Sequence, residues 1–478
     1  MRRRNVSLAL VWLVLFAAVA SAEVKLPALF GDGMVLQQEK AAPVWGWADA
    51  DAPVTVQFAG QEKSTTAGKE GKWMVKLDPL TMSKDAATLT VTAGNDTVTI
   101  QDVVVGEVWL CSGQSNMEMT VGGCNAPDDV AGAKYPLIRT IKVPHTPSPK
   151  PLDNFTGSWT ACSPETVGGF TAVGFFFART IHNEMGVPVG LVNSSWGGTR
   201  VEPWTPPCGF AAVPELKEMA EQTYAAKSHQ EPTVLYNGMI QPLIPFAIRG
   251  ALWYQGESNG SEGVTYYQKK QALIGGWRQL WQQGDFSFYF VQLANFQTSP
   301  DDPKGGDGWA RLREAELDTL KVANTGMAVI IDIGEAGNIH PKNKQDVGGR
   351  LALWALAKDY GRKDLVYSGP LYQGMKIEGD KIRLSFDHVG GGLIVGKKEG
   401  LAPVEEVKDG ELKWFAIADA DQNWHWAKAV IDGQAVVVSS AEVKSPVAVR
   451  YAFTMNPEGC NLYNKEGLPA SPFRTDRW

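Results

Sequence analysis

Residues that could support nucleophilic catalysis follow an apolar run near the end of the first quarter of the chain. The run GEVWLC (106–111) leads into Ser112-Gly113-Gln114-Ser115-Asn116. A serine in a glycine-containing turn after a buried strand can expose its hydroxyl while its backbone N–H points into the same space. That arrangement suits a nucleophile that also donates to an oxyanion. Taken alone, the loop has an alternative interpretation as a polar turn with Ser and Asn as local caps.

Three later loops carry residues of the same kind, also directly after apolar runs. They are SSWGGTRVEPW (194–204), GESNGS (256–261) and EAGNIHP (335–341). Gly197 and Gly198 would let a backbone N–H approach a ligand closely, although a tight turn explains them equally. Gln255 and Asn259 offer side-chain amides, which serve as oxyanion donors, and Glu257 offers a carboxylate. A lone loop glutamate is otherwise a solvated surface group.

A serine nucleophile needs a base, and histidine is the usual one. The six histidines are His145, His182, His229, His340, His388 and His425. His340 is the preferred base because it lies in one of the four loops, before the helix opened by PKNKQDV. His182 falls within a helical stretch, where packing is expected, and His388 and His425 fall in a β-rich tail.

The elements around these loops alternate between strands and helices over residues 105–365. Short apolar runs without polar alternation are typical of strands buried on both faces, and the stretches between them have helical character. Repeated strand–helix units predict an α/β fold with a mostly parallel sheet between helices. Because open parallel sheets bind ligands at the carboxyl ends of their strands, the four loops are predicted to form one composite site.

The two flanking segments have a different pattern. Residues 23–104 and 366–478 alternate apolar and polar residues, with Gly, Pro, Asn and Asp between the runs. This pattern predicts β-rich flanking domains, the first of them a small β-sandwich.

The N-terminus has the composition of a targeting segment. Arg2 to Arg4 form a basic start, Leu8 to Val19 are almost wholly apolar, and Ala20-Ser21-Ala22 is a small-x-small cleavage site. Residues 1–22 are therefore predicted to be a signal peptide of a secreted, periplasmic or lumenal protein, with an uncleaved anchor as the alternative. No later stretch is apolar enough to span a membrane. The net charge of -7, with no later basic run, excludes nucleic acid as an expected partner.

The cysteines are few and odd in number. They are Cys111, Cys124, Cys162, Cys208 and Cys460. Their spacing fits no metal site, and one or two structural disulfides near the loops are expected in a secreted protein. Cys111 borders the Ser112 loop, but it ends an apolar run and is expected to be buried rather than a catalytic thiol.

Four motifs together resemble a known family. GQSNMEM, SSWGGTRVEPW, WYQGESN and NIHPKNKQDVGGRLA, in this order, are similar to the secreted sialate O-acetylesterases of the SGNH hydrolase superfamily. The resemblance implies a flavodoxin-like core, cofactor-free and metal-independent ester hydrolysis, and an O-acetylated sugar as substrate. It also implies Ser115 as nucleophile, His340 as base, and the N–H groups of Ser115 and Gly198 as oxyanion donors.

The sequence departs from the superfamily pattern at two positions. Gly337 stands where an Asp commonly precedes the histidine by three residues. Glu257 is the first candidate to orient His340, because related carbohydrate acetylesterases place their acid in a Gln-Gly-Glu motif. Asp332 and Glu335 are weaker candidates. Ser258 stands where a third-loop Asn is common, so the side-chain amide of Gln255 or Asn259 is expected to be the third oxyanion donor.

Two further residues bear on the substrate. Arg200 could bind a sialic acid carboxylate through a bidentate fork, or could form a salt bridge to Glu202 or another local acid. In the second case a neutral acetylated sugar, such as acetylated xylan, becomes the better substrate hypothesis. Gln114 is predicted to contact the substrate. A third hypothesis is a carbohydrate-binding protein that has lost catalysis, against which Ser115, Gly198 and His340 argue.

Overall fold

The computed structural model describes residues 23–478, and the predicted signal peptide lies outside the described residues. The strands are β1 Val35–Gln37, β2 Ala42–Trp47, β3 Pro53–Phe58, β4 Gln61–Thr66, β5 Lys72–Leu77, β6 Ser83–Ala93, β7 Asp96–Gly113, β8 Ile138–Lys142, β9 Thr160–Ala161, β10 Val189–Ser195, β11 Gly250–Tyr254, β12 Ser287–Gln292, β13 Thr325–Val329, β14 Leu371–Glu378, β15 Lys381–Asp387, β16 Leu393–Lys397, β17 Glu405–Glu406, β18 Phe415–Ala418, β19 Trp424–Trp426, β20 Lys428–Asp432, β21 Ala435–Ser439, β22 Ala448–Tyr451, β23 Leu462–Asn464 and β24 Phe473–Arg474.

The α-helices are α1 Ser115–Glu118, α2 Pro127–Ala131, α3 Ala172–Met185, α4 Pro207–Ala211, α5 Lys217–Glu221, α6 Val264–Trp281, α7 Gly308–Asp318 and α8 Lys344–Lys358. Short 3₁₀ turns lie at Val121–Cys124, Val167–Gly169, Glu202–Trp204, Pro214–Leu216, Gln241–Leu243, Glu257–Asn259 and Thr319–Lys321. One π-helical segment spans Tyr236–Ile240.

The centre of the molecule is a parallel sheet in the order β13-β12-β11-β7-β10-β8, with β9 antiparallel at the edge. Every residue of β10, β11 and β12 is buried, as expected for apolar strands covered on both faces. Helix α3 packs against α8, while α6 packs against α4 and α7. The predicted α/β class, a parallel core with additional β-rich sheets, is therefore confirmed.

Strand β7 joins the first flanking segment to this core. Its first part pairs antiparallel with β6, residues 104–106 pair with β1, and its last part lies between β10 and β11. The predicted domain boundary at residue 104 thus falls inside one continuous strand. Strands β2 and β5 form a separate pair beside this sheet.

The C-terminal segment contains three sheets, in the orders β14-β15-β21-β20, β17-β16-β23 and β19-β18-β22-β24. Arg313 of α7 connects this segment to the core. Its guanidinium is fully buried and donates to the carbonyl oxygens of Leu293, Ala294, Thr454 and Met455. A buried cation is tolerated where acceptors surround it, so this contact fixes residues 454–455 against the sheet.

The expected disulfides are not formed, which corrects the sequence-based prediction. All five cysteines are free, and four of them are buried. Cys208 contacts the carbonyl of Gly276, whereas Cys460 contacts that of Ile331. Burial raises the pKa of Cys111, which is therefore not a reactive thiolate.

Within residues 23–478, no helix has the length and apolar character required to cross a membrane.

Candidate active site

The close approach of two strands fixes the position of Ser115. Strand β7 ends at Gly113, whose φ is +133°, and a Cβ at this position would lie 2.2 Å from the carbonyl oxygen of Tyr254 in β11. Only glycine fits here. The next residue, Gln114, donates its N–H to the same carbonyl at 3.0 Å, and α1 begins at Ser115. The serine therefore stands at the carboxyl end of the central strand.

Ser115 and His340 lie together, although 225 positions separate them in the chain. The Nε2 atom of His340 is 2.8 Å from Ser115 Oγ. Burial, followed by the charges of Lys344 and Lys342, lowers the pKa of His340 from its ordinary value. A lowered pKa keeps the imidazole neutral near pH 7, as a general base requires.

The backbone around His340 is held from both sides. Asn338 Oδ1 accepts the N–H of His340, and Asn338 Nδ2 donates to the His340 carbonyl, each at 3.0 Å. Asn116 Nδ2 donates to the carbonyl of Ile339 at 3.0 Å. Among residues 23–478, no carboxylate forms a hydrogen bond or ion pair with the His340 imidazole. These hydrogen bonds hold the backbone that carries the ring, while the ring itself contacts Ser115 Oγ.

Glu257, the first candidate to orient His340, contacts Asn116 instead. Its Oε1 accepts from Asn116 Nδ2 at 2.6 Å, and its Oε2 is buried with no hydrogen-bond partner. Burial raises the pKa of this carboxyl. Glu257 therefore reaches the histidine loop indirectly, through Asn116 and the Ile339 carbonyl.

The two weaker acid candidates have other partners. Asp332 forms a buried ion pair with Arg350, with Oδ1 at 2.6 Å from the guanidinium. Glu335 accepts from Asn338 Nδ2 at 3.0 Å and from the Lys342 N–H at 2.7 Å. Asp332 is therefore paired with Arg350 rather than with His340. Glu335 stabilises the loop of His340 without contacting its ring.

Sequence reasoning missed two residues of this network, Asn116 and Lys344. Lys344, at the start of α8, is fully buried, and its Nζ donates to Asn116 Oδ1 at 2.6 Å. Burial lowers the pKa of Lys344 to about 8. Both residues lie inside the motifs quoted above, but nothing in their spacing indicates that they meet. Asn116 connects Glu257, Lys344 and the Ile339 carbonyl.

The backbone N–H groups of Ser115 and Gly198 remain available to bind an oxyanion. Neither Ser115 N nor Gly198 N donates to an acceptor within residues 23–478. Gly198 has a φ of +74°, which favours glycine at this position. The N–H of Gly197, by contrast, donates to Glu118 Oε2 at 2.8 Å. The predicted choice of Gly198 over Gly197 as oxyanion donor agrees with this geometry, and it stays a prediction.

The side-chain amides of Gln255 and Asn259 donate to other groups, which corrects their predicted role as oxyanion donors. Gln255 Nε2 donates to the Thr199 carbonyl at 3.1 Å and to Asn259 Oδ1 at 2.8 Å. Asn259 Nδ2 donates to Glu202 at 3.0 Å. Both side chains are fully buried, and their hydrogen bonds connect the loop at 256–261 to the loop at 194–204.

The side-chain amide nitrogen of Gln114, the residue before Ser115, has no hydrogen-bond acceptor among residues 23–478. The Oε1 atom of the same side chain accepts the N–H of Ser258 at 3.4 Å. The amide nitrogen of Gln114 is therefore free to donate to a substrate or to an oxyanion. Its predicted role in substrate contact stays a prediction.

Arg200 is bound to local acids. Its guanidinium donates to Glu202 Oε1 at 3.1 and 3.2 Å and also contacts Glu262. Lys269 joins the same cluster, with its Nζ 2.7 Å from Glu202 and 2.6 Å from Glu262. Two cations face two carboxylates, so the geometry follows the salt-bridge alternative for Arg200.

Within residues 23–478, no three or more His, Cys, Asp or Glu side chains are grouped so as to hold a metal ion.

This fold, with its serine and histidine at the carboxyl ends of parallel strands, is that of a carbohydrate esterase. A crystal structure of a carbohydrate acetylesterase from Xanthomonas citri superposes with a TM-score of 0.86, at 40% identity, covering 95% of this chain and 100% of that one. The sialate O-acetylesterase of Homo sapiens is 32% identical, covering 92% of this chain and 90% of that protein. The mouse (Mus musculus) sialate O-acetylesterase is 33% identical, covering 92% of each.

The family model described as carbohydrate esterase, sialic acid-specific acetylesterase, matches residues 105–354. This match covers more than half of the chain, and the relatives above extend over nearly all of it. The chain therefore belongs to this family of carboxylic ester hydrolases, and the family predicted from the four motifs is confirmed.

Proposed function

We propose that the protein removes acetyl esters from sugar hydroxyls through an acetyl-enzyme on Ser115. The observation that carries this proposal is the 2.8 Å separation of His340 Nε2 and Ser115 Oγ at the carboxyl ends of the strands. A nucleophile within hydrogen-bond reach of a neutral base is the minimal arrangement for acyl transfer.

The steps follow from the positions of these groups. His340 takes the hydroxyl proton as Ser115 attacks the acetyl carbonyl. The N–H groups of Ser115 and Gly198 donate to the developing oxyanion. The sugar hydroxyl leaves with the proton from His340, and water, activated by the same histidine, then releases acetate from Ser115.

An O-acetylated sialic acid is the first substrate class we propose. The family and the human and mouse relatives are named for this activity. The chain aligns with those relatives over nearly their whole length, so its site loops and both flanking segments have counterparts in them.

A neutral O-acetylated sugar is the second candidate, and the pairing of Arg200 favours it. A sialic acid carboxylate would have to compete with Glu202 and Glu262 for this guanidinium. A polysaccharide without carboxylates needs no such exchange.

Acetate release from 9-O-acetylated sialic acid and from acetylated xylan distinguishes the two substrate classes. Ser115→Ala should remove activity on both and on p-nitrophenyl acetate while the melting temperature stays unchanged. Retained turnover in this variant would contradict the role of Ser115. Binding of the sugars with no hydrolysis by the wild-type protein would instead favour the non-catalytic hypothesis.

We also propose that the protein acts outside the cytoplasm, because residues 1–22 have the order of charge, apolar run and small residues that signal peptidases recognise. Mass spectrometry of the protein recovered from its native host should find Glu23 at the N-terminus. A chain retaining residues 1–22 would contradict cleavage.

A further inference from the structure

One carboxylate connects the helix of the nucleophile to the loop of Gly198. Glu118 is the last residue of α1, and its Oε2 accepts the Gly197 N–H at 2.8 Å. Its Oε1 lies 2.8 Å from His145 Nε2. Glu118 therefore contacts the residue next to Gly198 while belonging to the same short helix as Ser115.

His145 is itself held firmly. Its Nε2 lies 3.2 Å from the Ser195 carbonyl as well as beside Glu118, and since both neighbours accept hydrogen bonds, this nitrogen carries the hydrogen. The imidazole stacks on Trp196, with ring centroids 4.3 Å apart and planes at 1°. Trp196 also stacks on His229 at 4.7 Å. The side chain opposite Glu118 is thus fixed by packing.

Gly197 lies close to Ser115, with little room for a side chain between them. A Cβ at Gly197 would lie 3.2 Å from Ser115 Cβ and 3.5 Å from Glu118 Oε2. The peptide bond from Gly197 to Gly198 carries the Gly198 N–H, so a group that holds Gly197 also places this N–H. An oxyanion donor is effective only when it is already in place.

We propose that Glu118, supported by His145, is a positioning residue that fixes the Gly198 N–H for the oxyanion. The inference rests on the proposed function of Ser115. Glu118 takes no part in proton transfer. It acts through Gly197, and its contribution is realised in the tetrahedral transition state rather than in substrate binding.

Kinetics on p-nitrophenyl acetate test this role. Glu118→Ala should lower kcat by about 10- to 100-fold, with KM within about 2-fold, because a donor displaced by a fraction of an ångström loses most of its effect. Glu118→Gln retains an oxygen for the Gly197 N–H and should recover kcat to within about 3-fold of wild type. If the folded Gln variant is as impaired as the Ala variant, the acceptor role is wrong.

A tetrahedral inhibitor separates positioning from a general structural effect. Phenylboronic acid forms a tetrahedral adduct with catalytic serines, so its inhibition constant should rise in proportion to the loss of kcat/KM in Glu118→Ala. An unchanged inhibition constant beside a reduced kcat would overturn the proposal.

A second variant keeps the test valid if Glu118→Ala does not fold. His145→Phe retains the ring stack on Trp196 but removes the contact to Glu118, and it should lower kcat by a smaller factor than Glu118→Ala, again with KM unchanged. Glu62→Ala, an exposed glutamate of β4, is the matched control and should behave as wild type. Wild-type kinetics in either His145→Phe or a folded Glu118→Ala would overturn the proposal while leaving Ser115 as nucleophile. Activity in Ser115→Ala would instead contradict the proposed function.

Discussion

Asn116 and Glu257 form a hydrogen bond of 2.6 Å that holds an acid in the candidate active site without contact to the His340 imidazole. The same amide nitrogen donates to the Ile339 carbonyl, one residue before His340. The carboxylate thus reaches the backbone next to His340 through Asn116. In the usual triad a carboxylate accepts from the imidazole Nδ1 and stabilises its charged form directly.

The first prediction concerns the size of the contribution of Glu257. Glu257→Gln retains an oxygen for Asn116, so kcat on p-nitrophenyl acetate should fall by less than about 10-fold, whereas His340→Ala should cost about 1,000-fold or more. Equal losses in the two variants would mean that Glu257 contacts the imidazole during the reaction.

The second prediction is that loss of the Asn116 side chain lowers kcat more than Glu257→Gln does and also lowers stability. Asn116→Ala leaves the buried Glu257 Oε1 and Lys344 Nζ without their hydrogen-bond partner and frees the Ile339 carbonyl. The free energy of unfolding should fall by about 2–5 kcal/mol, and kcat should fall further than in Glu257→Gln.

Urea denaturation and steady-state kinetics measure both effects. Asn95→Ala, at an exposed turn between β6 and β7, is the control and should change neither quantity. Stability equal to wild type in Asn116→Ala would show that the network of Asn116 carries little energy.

The third prediction concerns the acid limb of the pH profile. The base acts only when neutral, so kcat/KM should fall as the pH drops through the lowered pKa of His340, with a midpoint below the ordinary value of 6.5. Lys342 is one cause of the lowering, and its removal favours the imidazolium. Lys342→Gln should therefore move the midpoint to higher pH, by about 0.2–0.5 units at low ionic strength.

Salt provides the control for this effect. Lys342 is close to solvent, so about 1 M NaCl should reduce the difference between wild type and Lys342→Gln. Lys381→Gln, on the exposed face of β15, should leave the midpoint unchanged. A shift toward lower pH in Lys342→Gln would contradict the assigned cause.

The sequence predicted the parallel core because β10, β11 and β12 are continuous apolar runs, and this pattern needs cover on both faces. It also predicted that Ser115 and His340 meet, because both follow such runs. It did not predict the hydrogen-bond partners of Gln255 and Glu257. Gln255 and Glu257 are two positions apart, yet one is enclosed between loops and the other faces Asn116. These directions depend on loop conformation, which has no simple period in the sequence.

The same limit explains the wrong expectation of disulfides. An odd set of cysteines beside a signal-like N-terminus is compatible with bridges, but bridging requires two thiols to meet in space. Cys111 lies within β7 and Cys460 lies in the C-terminal segment, and both are buried. Chain spacing carries no information on that separation.

The last prediction tests the substrate through Arg200. Because its guanidinium is bound to Glu202 and Glu262, Arg200→Ala should change kcat/KM by the same factor on 9-O-acetylated sialic acid and on acetylated xylan. A loss of binding energy to a carboxylate would appear only with the first substrate.

Arg362→Ala is the matched control for this variant, because its side chain is 40% exposed, against 39% for Arg200, and pairs with Glu184. Arg362→Ala should leave both activities unchanged. Arg200→Ala should lower the melting temperature slightly, because Lys269 is then the single cation that pairs with both Glu202 and Glu262 in this cluster. A KM for 9-O-acetylated sialic acid raised about 10-fold or more, with acetylated xylan unaffected, would instead show that Arg200 releases its acids and binds the sialic acid carboxylate.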